Sequence, residues 1–493
     1  MSNLRRVTMS PWTIMMSMIL LLTPVVCYIF SLNQKSSRLP FGKWVQTIHE
    51  QRYYIHAMGY IVIINWKGLT DRLNEPIKST VGHWTDSVHA LEGNFVLWIQ
   101  NAFENDALTA FLNFHYLFVY LFLIYVTTVY YAYTSDRDMT DKVTMNYLLI
   151  YALAVPYYLF FNVEVTSSWI PGMDALLYHD GMYSTFYATH DPLDNAVPSL
   201  HVAIPFGILM LNYLHVKEKG IEMKDWRHYR YHMFILINTI VFIFAILYLG
   251  IHWVTDIPLG LLVGGIGALF IHHLQPRLRN DFGPMLKGVS KEKVRKHIFV
   301  EGTIFLLMMA AIMGAINYQD STNDDQASFR LGSGDTVHDL IHEMGPELSV
   351  MTTINNMDSS HTLEYVIITV ELAEPGFEDF KVDWNTMQGL ANEHCTQKVA
   401  CVASLLPGEK IDLRLISPNV FTFIFLHHSG DDGVMEVQII SEYDESSSAM
   451  NKAVALSMPS LYITGFVIYR LLRLSQNGRN WYDSTPSHAW EEE

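Results

Sequence analysis

Residues 248–273 read YLGIHWVTDIPLGLLVGGIGALFIHH. After Asp256, the stretch 257–275 carries no Asp, Glu, Lys or Arg. At 1.5 Å per residue it is about the length that crosses ~30 Å of hydrocarbon. Just before it stand His252 and Asp256, four positions apart. Ionisable groups at the edge of a membrane core are costly and tend to be functional. The stretch therefore predicts a membrane-spanning helix with a polar site at its start.

Seven more apolar runs of spanning length occur, at 10–32, 110–133, 144–162, 199–215, 233–251, 302–319 and 453–469. Half the chain is apolar and 16% is charged, too few charges for an ordinary soluble protein. The run 10–32 follows Arg5 and Arg6 but lacks a clear small-residue cleavage site, so it reads as a span rather than a signal peptide.

Lys and Arg favour the cytoplasmic side of short loops. Segment 276–296 holds seven of them against two acids, and 216–232 holds five against three. With eight spans both loops fall inside, together with Arg5, Arg6, Arg470 and Arg473. Both termini are then cytoplasmic, and the segment 33–109 is outside. That segment, with Trp44, Trp66, Trp84 and Trp98, reads as interfacial helices lying along the membrane. The apolar part of 53–66 is short for a crossing.

The net charge is −17. Residues 318–451 alone carry 23 acidic and 5 basic side chains, so the rest is about neutral. This block predicts a solvated domain and argues against a nucleic-acid partner. Its runs 364–372, 410–417, 419–426 and 434–443 are rich in β-formers and punctuated by Gly, Asp, Asn and Ser, which predicts a small β-sandwich. Cys395 and Cys401 lie close together there and form a disulfide candidate. Cys27, in the first span, reads as a packing residue.

The expected organisation is therefore an α-helical multi-spanning membrane protein. It comprises a first span (1–32), the extracytoplasmic interfacial segment (33–109), a membrane core (110–275) and a basic cytoplasmic loop (276–296). A span (297–319), an extracytoplasmic acidic β domain (320–452), a last span (453–472) and a cytoplasmic tail (473–493) complete it. A multi-pass protein of the cell membrane is implied.

Two segments carry the chemistry: Pro198-Ser199-Leu200-His201 at the outer end of one span, and His252-Trp253-Val254-Thr255-Asp256 between two others. Loop charges place both on the extracytoplasmic face. On a helix, His252 and Asp256 would share a face. A carboxylate on one ring nitrogen fixes which nitrogen is free. The free nitrogen can attack phosphorus, giving a phosphohistidine. His201 can protonate the leaving oxygen, and Ser199 can hydrogen-bond a phosphoryl oxygen. Trp253 and Tyr248 are candidate substrate contacts. The chemistry needs no cofactor and no metal.

At these residues the chain resembles the type 2 phosphatidic acid phosphatase superfamily, and within it the inositol-phosphotransferase branch that includes inositol phosphorylceramide synthase. The motif Pro-Ser-X-His matches Pro198 to His201, and His-X-X-X-Asp matches His252 to Asp256. Tyr248-Leu249-Gly250-Ile251 before the second motif, and Gly260, Gly264 and Gly265 after it, are similar to that branch. The likeness covers about 85–275. It implies a six-helix core and an integral membrane lipid phosphatase or phosphotransferase, with a phospholipid or isoprenoid phosphate as substrate.

The likeness has gaps. The superfamily's Lys-X6-Arg-Pro motif has no counterpart in 162–171, Ile246 stands where an Arg is common, and 163–201 holds no Lys or Arg. Phosphoryl transfer needs donors for the charge on the equatorial oxygens. Candidates are Lys43, Arg52, Lys67, Arg72 and Lys78, with Tyr183, Tyr187, His179 and His190 behind them. A metal on Asp174, Asp180, Asp191 or Asp194 is a remote option. The alternative is a catalytically inactive membrane core that presents an extracytoplasmic binding domain to an unknown partner.

Three other histidine groups have plainer readings. His338 and His342, four apart, read as an exposed polar helix turn rather than a zinc site. His427-His428 reads as a strand end, and His272 and His273 as headgroup-facing residues at a cytoplasmic helix end.

Overall fold

A computed structural model describes residues 11–74, 84–178, 196–279, 323–341, 349–371, 402–416, 420–430, 433–443 and 446–476. It also describes scattered positions at 77, 81, 384, 388, 480 and 482 and between 290 and 310. Seven described helices are long and apolar enough to cross a membrane. They are α1 (Pro11–Phe30), α5 (Asp106–Tyr133), α6 (Arg137–Phe160), α7 (Leu200–Glu218), α8 (Tyr229–Tyr248), α9 (Asp256–Arg279) and α10 (Ser446–Gln476). Most of the expected span 302–319, and Cys395 and Cys401, lie outside the described residues.

Helices α5 to α9 alternate in direction, so the bundle has two ends. Ser199, His201, His252 and Asp256 mark one, the site end. The other holds the start of α6 and the turn before α8. There Asp136 caps α6 by accepting from the Met139 N–H at 3.2 Å, and it also accepts from Arg227 at 2.6 Å and His228 at 3.2 Å. Burial opposes charge on Asp136, but these partners outweigh it and hold the carboxyl well below the usual range.

The structure corrects the reading of residues 33–109. Residues 34–56 lie at the opposite end from the site. Gln34 donates to the Arg227 carbonyl at 2.7 Å, the Leu39 N–H to the Tyr133 carbonyl at 2.8 Å, and Arg137 to Gln51 at 2.7 Å. From there α2 (Tyr54–Asn74) runs beside α6. His56 meets Asp141 at 2.9 Å near the start of α6, and the Tyr60 ring stacks on Tyr147. The chain then reaches the site end, where the Trp84 N–H donates to the Asn162 carbonyl at 2.9 Å.

The 21 residues of α2 cover about 31 Å, the depth of a bilayer core. Lys67, Asp71 and Arg72 hide this from a hydropathy window. The outer face is apolar all the same, with Ile55, Met58, Ile61 and Val62 exposed. Helix α1 ends where α2 begins, so it starts toward the site end. The last helix, α10, ends at the opposite end, where the Tyr482 carbonyl reaches His272 at 2.8 Å. The start of α1 and the end of α10 therefore lie at opposite ends of the bundle.

Between α9 and α10 the chain carries a separate antiparallel β region. Its strands are β1 (Asn323–Gly332), β2 (Thr336–Ile341), β3 (Ser349–Asn356), β4 (Leu363–Glu371), β5 (Val402–Leu405), β6 (Lys410–Ile416), β7 (Val420–His428) and β8 (Val434–Tyr443). They form two four-stranded sheets, ordered β1-β8-β3-β6 and β2-β7-β4-β5. Phe329, Ile354, Leu413 and Val437 of the first sheet share one buried cluster with Val337, Tyr365, Leu405 and Ile424 of the second. The region meets the bundle at the site end: the Gly172 N–H donates to Asp335 Oδ2 at 2.5 Å.

Candidate active site

Helices α7 and α9 bring the two motifs together, and glycines let them approach. A Cβ on Gly260 would stand 2.8 Å from the Ser199 carbonyl oxygen, and one on Gly264 would run into the Ala203 backbone. Small residues four apart allow such close helix contact in a membrane. Ser199 sits at the N-cap of α7. The carbonyl of the preceding Pro198 accepts from the Tyr158 hydroxyl at 3.0 Å.

His252 lies in the turn before α9, not on the helix, so the expected helical face is not what joins it to Asp256. The chain folds back over the N-terminus of α9. His252 Nδ1 donates to Asp256 Oδ2 at 2.9 Å, and the Trp253 N–H donates to the same oxygen at 2.9 Å. With Nδ1 so held, Nε2 is the free nitrogen. It receives the Ser199 hydroxyl at 3.3 Å. The rings of His201 and His252 are 6.3 Å apart, close enough for one phosphoryl group to meet both. All four side chains are buried.

Three further residues fix this turn, and none stood out in the sequence. The Glu92 carboxylate accepts from the Val254 N–H at 2.7 Å and the Thr255 N–H at 2.5 Å. Glu92 ends α3 (Thr85–Glu92). Gln100, on α4 (Phe95–Phe103), donates to the carbonyls of Asp174 and Tyr248 and accepts from the Asp174 N–H. The Ser167 N–H donates to the Gly250 carbonyl at 2.9 Å. Gly250 has φ +81°, and a Cβ there would stand 2.8 Å from the Asp174 carbonyl oxygen. Only glycine fits such a backbone against such a neighbour. These contacts join residues more than seventy positions apart, so no local pattern announces them.

The two expected substrate contacts are buried and hydrogen-bonded within the frame of the site. Trp253 is fully buried and its indole N–H donates to the Glu164 carbonyl at 2.7 Å. Tyr248 is fully buried too, and its hydroxyl meets Thr109 at 2.8 Å and the Asn105 N–H at 3.2 Å. Both hydrogen-bond networks brace the site.

Of the basic candidates, Lys43 and Arg52 belong to the segment at the opposite end, so they are removed from the site. Lys67 pairs with Asp71 at 2.6 Å. The side chains of Arg72 and Lys78 lie outside the described residues, as do His179, Tyr183, Tyr187, His190, Asp180, Asp191 and Asp194. Asp174 is described, and its backbone is taken up by Gln100. Among the described residues no group of three or more His, Cys, Asp or Glu could hold a metal ion.

The other histidines also find places. His338 lies on strand β2, paired with Phe425, which replaces the expected helix turn. His427 and His428 end β7, as expected. His272 and His273 are buried rather than facing headgroups. Cys27 is a free, buried thiol.

Residues 175–280 match the family model of the PAP2 superfamily. That range includes Ser199, His201, His252 and Asp256. No curated protein matches the chain, and no solved structure matches it. The family match and the apolar helices together fit a family of membrane lipid phosphatases.

Proposed function

We propose that the chain is an integral membrane lipid phosphatase or phosphotransferase that works through a phosphohistidine at His252. The observation that carries this reading is the meeting of Ser199 and Asp256 on the two nitrogens of one imidazole, with a second imidazole 6.3 Å away. Nε2 of His252 attacks phosphorus as the bond to the leaving alcohol oxygen breaks. His201 gives that oxygen its proton. Asp256 keeps Nδ1 protonated and balances the charge that builds on the ring. The Ser199 hydroxyl turns from Nε2 to a phosphoryl oxygen. Water or an alcohol then attacks the phosphohistidine, and His201 takes up its proton.

The substrate is a phospholipid or isoprenoid phosphate entering from the bilayer. The basic loops 216–232 and 276–296, which lie at the ends of α7 and α9 away from the site, support a site and β region on the extracytoplasmic face of the cell membrane. The test uses purified protein with a phosphate-labelled lipid. Parent protein should release labelled product and carry acid-labile label on His252, and His252→Ala should do neither. Equal turnover by His252→Ala would end the proposal. Added inositol or another polyol separates the two chemistries, since a transferase moves label to the polyol and a phosphatase to water.

One observation favours the reading of an inactive core that presents the β region: the lack of Lys and Arg across 163–201. That reading requires that the parent protein release nothing from any lipid phosphate offered.

A further inference from the structure

His201 lies between two tyrosine rings. Its imidazole centroid is 3.8 Å from Tyr116, with planes 19° apart, and 3.9 Å from Tyr120, with planes 31° apart. Two near-parallel rings cannot both sit within 4 Å of one face, so they occupy opposite faces. Phe242 stands 6.0 Å away and tilted, closing a further side. The imidazole is left with its edge to present. Both tyrosines come from α5, four residues apart and therefore on one side of that helix. The helix takes a π turn at His115–Val119, a distortion that recurs at functional sites. Neighbouring His115 is fixed separately, with Nε2 at 2.8 Å from Asn238.

We infer that Tyr116 and Tyr120 are positioning residues that clamp the His201 ring so that its edge faces the atom it must protonate. The inference rests on the reading of His201 as general acid. Proton transfer requires the donor nitrogen within about 2.6–3.2 Å of the leaving oxygen. A ring free to turn about its two side-chain torsions would spend most of its time elsewhere. Stacking on both faces removes that freedom without using either ring nitrogen. Aromatic faces also attract a cation, so the clamp tolerates the charged ring that an acid must pass through. Ordinary core packing calls for volume at these positions, whereas the clamp calls for flat rings, and this difference can be measured.

The test compares full-length parent, Tyr116→Leu, Tyr120→Leu, Tyr116→Phe, Tyr120→Phe and His201→Ala in lipid nanodiscs. The first half-reaction is followed by alcohol release, so the identity of the acceptor does not matter. One probe is hexadecyl phosphate, whose alkoxide leaves only with a proton. The other is p-nitrophenyl phosphate, whose phenolate leaves without one. In single-turnover measurements at saturating substrate, which isolate the first half-reaction from the later step in which His201 acts as base, the Leu variants should release hexadecanol about tenfold or more slowly than parent and should release p-nitrophenolate at near the parent rate. The Phe variants should keep the parent single-turnover rate on both.

Parent-like rates of the Leu variants on hexadecyl phosphate would overturn the clamp, and so would equal losses on both probes. His201→Ala separates the two levels: if it spares hexadecyl phosphate, the acid role itself fails. A parent protein inert on both probes removes the reading and the clamp with it.

Discussion

Asp256, the first residue of α9, holds His252, which lies in the turn outside that helix. Its Oδ2 accepts from the imidazole Nδ1 at 2.9 Å and from the Trp253 N–H at 2.9 Å. The same atom therefore sets the ring's tautomer and the shape of the turn. Asp256→Asn keeps the size but removes the negative charge and one acceptor. We expect kcat to fall by about two to four orders of magnitude with little change in KM, the pattern when a residue that orients a catalytic imidazole is neutralised. Steady-state kinetics on a lipid phosphate checks this, and an Asn variant within twofold of parent would refute it.

The glycine contacts make a prediction about packing. Gly264 and Gly265 are neighbours with opposite surroundings. A Cβ on Gly264 meets the Ala203 backbone, whereas one on Gly265 lies 3.5 Å from the Phe206 ring, an ordinary contact. Gly264→Ala should force α7 and α9 apart and cost about 1–3 kcal/mol of stability. It should also lower activity by moving Ser199 from His252. Gly265→Ala should leave both unchanged. Thermal unfolding in detergent with parallel activity measurements decides, and equal behaviour of the two variants would show that the contact is not limiting.

The sequence announced these glycines and both motifs because each is local: an apolar run, a polar residue at its edge, a small residue at helical spacing. It also announced strands β4, β6, β7 and β8, where β-branched and aromatic residues cluster. Strand β2 escaped because His338 and Asp339 interrupt its apolar pattern. Helix α2 escaped for the same reason at larger scale, since Lys67, Asp71 and Arg72 crowd its last turns. That one helix reverses the expected direction of α1 and moves Lys43 and Arg52 to the far end. Glu92 and Gln100 were unreadable for another reason. Each acts on backbone groups remote in sequence, and such pairing leaves no trace in local composition.

At the opposite end, His228 makes stability depend on pH. Burial lowers its pKa to about 4, although its bond to Asp136 pulls the other way. An exposed histidine titrates near 6.5. The folded state thus binds the proton less readily than the unfolded chain, and the neutral ring is the stabilising form. Its contribution is present above pH ~6.5 and is lost as pH falls toward 4. Asp136 has its own lowered pKa and loses its contribution only below the ordinary carboxylate range, so the two windows separate. The melting temperature of the parent should fall between pH 6.5 and 4, and His228→Gln should show a shallower fall there. An unchanged slope would remove His228 as the cause.

Among the described residues, the Asp335 carboxylate ties the β region to the site end. Asp335 Oδ2 accepts from Gly172 at 2.5 Å and from Gly332 at 2.6 Å, joining the turn after β1 to the loop that follows Thr166–Trp169. Ser167 of that short helix donates to the Gly250 carbonyl, two residues before His252, and Asp174 of the loop packs against Gly250. Hydrogen bonds to a charged acceptor contribute about 1.5–3 kcal/mol when buried and less when exposed. Gly172 is exposed, so we expect the lower end. Asp335→Ala should speed amide exchange at Gly172 by about tenfold, since 1.4 kcal/mol corresponds to that factor when exchange follows local opening. Exchange at the Asp256 end of α9 should stay slow, because its contacts lie within the bundle. Activity then reports whether the tie matters to chemistry: if the brace on Gly250 depends on it, kcat falls in step with the faster exchange. Unchanged protection at Gly172 would mean that the loop holds its shape without the β region.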